Sequence, residues 1–167
     1  TTQAFGLILR WVHVPLFFAV TGIVCFVHLH FGTGRIWIGA GACLFRGIAL
    51  ALNFLSAPNL NYARIDALRA YSLLGEQVAV PEGVVNPWTR VGQISSILLL
   101  IYVVDASIRL WRRGNRTRAV LVGGSVAFFT LVAALYSALV MQGIFHSPLL
   151  VSIPFLAIIA ATGYELS

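Results

Sequence analysis

Lysine is absent from this chain, and only 5 acidic residues accompany its 11 arginines. Charged side chains make up 10% of the 167 residues, where a water-soluble domain carries about a quarter. So sparse a charge set cannot clothe a surface that faces water, which excludes a soluble globular enzyme. Disorder is excluded for the opposite reason: 59% of the residues are hydrophobic and the mean hydropathy is +0.92, too much apolar surface to stay solvated. Cysteine is scarce as well. Cys25 and Cys43 lie inside apolar runs with no CxxC spacing and no companion ligands, so they read as small core or lipid-facing residues. The opening Thr-Thr-Gln lacks the basic start of a signal peptide, which suggests a processed chain or a segment whose upstream part is missing. Nucleophile elbow, P-loop, HExxH and GxGxxG patterns are all missing, so no catalytic residue, metal-ligand set or cofactor is expected.

What the chain does have is long apolar runs. A membrane-crossing helix needs about 20 mostly apolar residues. Five stretches meet or approach that length: Phe5 to Phe31, Ile36 to Leu55, Gln93 to Trp111, Ala119 to Phe145 and Pro148 to Leu166. An open sheet edge is intolerable in lipid and the runs show no two-residue alternation, so helices are the reading. The expected fold is therefore all-α: a single polytopic transmembrane bundle of about five spans over residues 1–167. The net charge of +6 and the basic pI could point to nucleic acid, but the arginines punctuate apolar runs, so they read as orientation signals. Arg35, Arg109, Arg112, Arg113, Arg116 and Arg118 gather around the first and third connections. That side is expected in the cytoplasm, together with the C-terminus. The basic run from Arg112 to Arg118 is also suited to anionic lipid headgroups.

The second connection, residues 56–92, is the long one and is expected to form an extracytoplasmic cap. Within it, Asn61 to Leu74 has apolar residues at helical spacing and predicts a short amphipathic helix ended by Gly75. Gln77 to Val85 predicts a small β-hairpin turning at Pro81-Glu82-Gly83. The polar residues best placed to meet an unknown small ligand are Asn59, Asn61, Tyr62, Glu76, Glu82, Asn86 and Trp88. Each also has a plainer role: Asn in turns, Trp88 at the membrane interface, and the glutamates in pairs with Arg64 or Arg69.

Two charges fall at membrane depth, Arg46 in the second span and Asp105 in the third. An intramembrane charge costs about 2.5–3.5 kcal/mol on insertion scales and usually faces the bundle and pairs. Counting from the helix ends puts their Cα depths only about 6 Å apart, so they are expected to form an ion pair. The histidines do not suggest haem. Only His13 and His146 share a side of the membrane in a usable way, and His28 and His30 are two residues apart and point to different sides.

The order of several short strings carries more than their periodicity. They are Arg10-Trp11-Val12-His13-Val14-Pro15, Phe31-Gly32-Thr33-Gly34-Arg35, Leu52-Asn53-Phe54, Pro58-Asn59-Leu60-Asn61-Tyr62, Leu74-Gly75-Glu76, Val80-Pro81-Glu82-Gly83-Val84, Asn86-Pro87-Trp88, Val104-Asp105-Ala106-Ser107, Trp111-Arg112-Arg113-Gly114 and Gly163-Tyr164-Glu165-Leu166-Ser167. In that order, and over nearly the whole chain, they resemble the membrane-embedded N-terminal sensor region of bacterial sensor histidine kinases that carry PAS domains downstream. The resemblance implies a signal-input module in the bacterial inner membrane, without catalytic residues of its own. The kinase modules, and the helices that usually stand upstream, are not among these residues. A second reading is a non-enzymatic accessory subunit of a larger membrane assembly, photosynthetic or respiratory, whose spans pack on other transmembrane helices or subunits.

Overall fold

The computed structural model describes residues 1–73 and 76–141. Among them are four helices long and apolar enough to cross a membrane: α1 (Thr2–Phe31), α2 (Ile36–Leu55), α3 (Thr89–Arg112) and α4 (Arg116–Val140). A two-stranded antiparallel hairpin, β1 (Tyr62–Leu73) and β2 (Glu76–Val85), stands between α2 and α3. The expected fifth span, Pro148 to Leu166, lies outside the described residues, and so does His146.

Each helix buries one stripe. On α1 it runs Gly6, His13, Val20, Val24, Val27 and Phe31; on α2, Ile38, Gly39, Ala42, Arg46, Ala49 and Asn53. On α3 it runs Thr89, Gly92, Ser95, Leu99, Tyr102, Val103, Ala106 and Leu110. Apart from the adjacent pairs Ile38-Gly39 and Tyr102-Val103, the steps are of three, four or seven residues, which keeps the stripe on one helical face. The outward faces carry Leu7, Ile8, Phe18, Leu29, Trp37, Leu44, Ile97 and Phe128, all substantially exposed, as a lipid-facing surface requires. Helix α3 is central and packs on α1, α2 and α4.

The stripes change character along their length. Toward the Arg-rich end the core is apolar, with Val27, Phe31, Tyr102, Val103, Ala106, Leu110 and Val122 closed together. Toward the hairpin end the same stripes present His13, Arg46, Asn53, Thr89 and Ser95. Helix α4 enters the apolar half through a wide π-turn at Ala119–Gly123. There Gly123 lies against α3 so closely that a Cβ would overlap Ser107 Oγ, the small-residue contact that lets membrane helices approach.

The hairpin corrects one expectation. Residues 62–73 form a strand rather than an amphipathic helix, and Pro81-Glu82-Gly83 lies inside β2 rather than at a turn. Leu68 faces Pro81, Ala67 faces Glu82, Ile65 faces Gly83, and the pairing runs out to Leu73 and Glu76. The Ala, Leu and Arg of β1 favour helix locally, but Val80, Val84 and Val85 offer a partner strand, and cross-strand pairing overrides that weak preference. Gly83 marks the closest approach, since a Cβ there would overlap the Arg64 carbonyl. Pro81 is tolerated because a two-stranded ribbon leaves one edge of each strand unpaired.

Candidate functional site

Where the hairpin meets the helices, buried asparagines take over the hydrogen bonding of the backbone. Asn59 is fully buried. Its Oδ1 accepts from the Asn61 and Tyr62 N–H groups, both at 2.9 Å, and its Nδ2 donates to the Gly6 carbonyl of α1 at 3.3 Å. Asn86 Nδ2 donates to the Asn59 carbonyl at 3.2 Å, while its Oδ1 accepts from Trp88 N–H at 3.1 Å. Thr89 Oγ1, at the first turn of α3, reaches the Leu60 and Asn86 carbonyls at 2.8 and 2.7 Å. Asn53, at the end of α2, donates to the Arg10 carbonyl at 2.8 Å and accepts from Leu60 N–H at 3.0 Å. Arg10 closes the ring by donating to the Ser56 and Pro58 carbonyls at 2.9 and 3.1 Å. A buried backbone polar group without a partner is costly, and here Arg10, Asn53 and Thr89 from three helices, with Asn59 and Asn86, satisfy the irregular segment from Ser56 to Tyr62.

The candidate ligand contacts therefore separate. Asn59 and Asn86 are committed to the backbone. Tyr62 is buried, and that burial pushes its phenol above the usual tyrosine range. Glu82 pairs with Arg69 at 2.8 Å, a diagonal cross-strand contact. Trp88 is 55% exposed, just ahead of α3. Asn61 is half-buried and its side chain neighbours His13. Glu76 sits at the far end of the hairpin, opposite Leu73.

Below this ring lies a buried charge with no carboxylate partner among the described residues. Arg46 is 5% exposed. One of its terminal nitrogens donates to the Gly92 carbonyl at 3.1 Å and to Ser96 Oγ at 2.9 Å, both on α3. Its Nε is buried with no hydrogen-bond partner among the described residues, and so is Nδ1 of His13, which feels the Arg46 charge from α1. The expected Arg46–Asp105 pair does not form. Ser95 Oγ bonds the Ala42 carbonyl at 2.8 Å, which fixes α2 against α3 at that level. Arg46 lies beyond that level toward the hairpin. Asp105 lies nine residues past Ser96 in the other direction, about 13 Å away at 1.5 Å per residue. Counting inward from the helix ends assumed that both helices stop at one depth; α3 instead overhangs α2 by about two turns.

Asp105 has a different task at the Arg-rich end. Its Oδ2 accepts the Arg35 backbone N–H at 3.0 Å, and both carboxylate oxygens accept from Arg109 Nε, at 3.0 and 3.1 Å. Arg35 is the N-cap residue of α2 and forms no side-chain cap of its own; Asp105 from α3 satisfies the N–H of Arg35 itself, as the carboxylate of a capping box does, and sets a negative charge at the helix start. Beside it Thr33 Oγ1 donates to the Ala106 carbonyl at 2.8 Å, and Arg113 donates to the Gly32 carbonyl at 3.2 Å. His30 stacks on Phe26 and meets Arg118, which ties α1 to the first turn of α4.

Thr89, Gly92, Ser95 and Ser96 were not singled out from sequence. Their three- and four-residue spacing along α3, facing Arg46 and Asn53 seven apart on α2, is the signal that would have found them. Comparison with protein-family models, curated proteins and solved structures gives no match to this chain.

Proposed function

We propose that this chain is a membrane-embedded signal-input module of the kind found in PAS-containing sensor histidine kinases, set in the bacterial inner membrane. In this reading the hairpin stands outside and the Arg-rich end faces the cytoplasm. The observation that supports it is the bonding at the hairpin's base. Asn59 reaches α1, Asn86 and Thr89 begin α3, and Asn53 ties the same segment to α2. A displacement of the hairpin is thereby handed to three helices at once. Helix α3 then runs unbroken to Asp105, which holds the α1–α2 turn at the opposite end. A stimulus acts on such a device only if it binds two arrangements of the helices unequally.

The test is the intact mass of the polypeptide isolated from its native membrane. Continuation past Ser167 into PAS and kinase sequence supports the sensor. An end near Ser167, with stoichiometric partners co-purifying, overturns it in favour of an accessory subunit. Orientation is checked separately in a Cys25→Ala, Cys43→Ala background. A membrane-impermeant maleimide added to whole cells should label Gln77→Cys and spare Asn115→Cys; the reverse pattern inverts the topology.

A further inference from the structure

Two shallow grooves flank Trp111 at the Arg-rich end. One, about 550 Å³, is lined by Trp111, Arg116, Thr117, Val120 and Leu121. The other, about 330 Å³, is lined by Ser107, Ile108, Trp111, Arg112 and Ala119. Their linings include Ile108, Trp111 and Val120, all exposed among the described residues, and Ile108 and Val120 stand toward the membrane interior from the arginines. The π-turn at Ala119–Gly123 shapes the α4 wall of both, and such turns recur at functional sites.

Among the described residues the charge around these grooves is unbalanced. No acidic residue occurs between Asp105 and Glu165. Among the arginines here, Arg109 is held by Asp105, Arg113 by the Gly32 carbonyl and Arg118 by His30. Arg112 and Arg116 make no ion pair among the described residues. Arg116 lies over the Trp111 ring, its guanidinium carbon 5.7 Å from the centroid. A cation at the rim, an indole at interfacial height and an apolar trough leading into the bilayer match an amphiphile with an anionic head.

We propose that these grooves form a binding site for an anionic phospholipid, its phosphodiester between Arg112 and Arg116 and its acyl chains along Ile108, Val120 and Leu121. Charge complementarity selects this occupant, because a zwitterionic lipid would leave the two cations without a net counter-charge. The site does not depend on the signalling reading. An accessory subunit would hold the same lipid.

The test uses the whole chain purified in a non-ionic detergent, with phosphatidylglycerol, phosphatidylcholine and inorganic phosphate as probes. Bound lipid is counted by native mass spectrometry and thermal stability is followed in parallel. Phosphatidylglycerol should be retained over phosphatidylcholine and should raise the melting temperature, while inorganic phosphate at equal concentration should not. Arg112→Gln with Arg116→Gln should lower the retention of phosphatidylglycerol by ~25-fold, taking about fivefold for each cation near an anionic lipid. Arg64→Gln, at the hairpin, should leave retention unchanged. Equal retention of the two lipids by the unaltered protein overturns the proposal without any variant. So does an equal response to inorganic phosphate, or an undiminished preference in the double variant.

Discussion

Asn59→Ala separates a strut from a ligand contact. In the folded protein the Asn59 side chain accepts two backbone N–H groups, those of Asn61 and Tyr62, and donates to the Gly6 carbonyl of α1. Alanine leaves both N–H donors without that acceptor, and the site is fully closed to water at Asn59 itself. An orphaned buried donor costs about 1–3 kcal/mol. Asn61 is half-buried and recovers part of its loss from water, so the sum is about 2–4 kcal/mol. For a chain of this size each kcal/mol moves the melting temperature by about 2–4 °C, which predicts a fall of roughly 5–15 °C. The assay is thermal unfolding in detergent micelles, read by tryptophan fluorescence. Trp11 is a local reporter, edge-on to Phe54 with ring centroids 5.6 Å apart beside the same junction. Arg64→Ala is the control, because its pair with Asp66 is exposed and should shift the midpoint by less than about 2 °C. If Asn59→Ala also moves the midpoint by less than about 2 °C, the side chain is not holding the hairpin to α1, and Asn59 returns to the set of free ligand contacts.

Three further outcomes follow from the same contacts. Arg46→Met removes a buried cation that has no carboxylate partner among the described residues while keeping much of its volume, so the melting temperature should hold or rise. A fall of more than about 5 °C would mean that the bonds to Gly92 and Ser96 outweigh the cost of burying the charge. Asp105→Ala should destabilise by about 1–2 kcal/mol through loss of the acceptor at the start of α2, and Asp105→Asn by less, since an amide oxygen still accepts; equal losses in a denaturation series would remove the capping role. Gly123→Val should cost about 1–3 kcal/mol because the added carbons meet Ser107, whereas a Cβ at Gly124 meets nothing within 4 Å among the described residues, so Gly124→Ala should not lower the midpoint in the same thermal assay.

The four described spans were readable because lipid leaves little choice. Apolar runs of helical length, broken at Phe31-Gly32-Thr33-Gly34-Arg35 and at Arg113-Gly114-Asn115, put the helices within a few residues of where they lie. What was hidden depended on a partner. Tyr62 to Leu73 is strand only because Glu76 to Val85 lies beside it, a pairing that local helix preference does not report. The Arg46–Asp105 expectation failed for a related reason. Depth along two separate helices cannot be compared until one contact between them is known. Here that contact is Ser95 Oγ to the Ala42 carbonyl.

The short strings singled out in the sequence acquire a physical meaning once they are matched in space. Leu52-Asn53-Phe54 and Pro58-Asn59-Leu60-Asn61-Tyr62 close on Asn86-Pro87-Trp88 and on the Arg10 turn of α1. Phe31-Gly32-Thr33-Gly34-Arg35 closes on Asp105-Ala106 and on Arg113. Strings far apart in the chain thus form two polar clasps, one at each end of α3, with an apolar core between them. Inside a membrane the apolar middle gains little from packing that lipid would not also supply, so polar clasps with fixed donors and acceptors are what choose one helix arrangement over its neighbours. Rearranging a bundle held this way would mean exchanging bonds at a clasp, and Arg46 Nε and His13 Nδ1, beneath the hairpin clasp, are buried without a hydrogen-bond partner among the described residues.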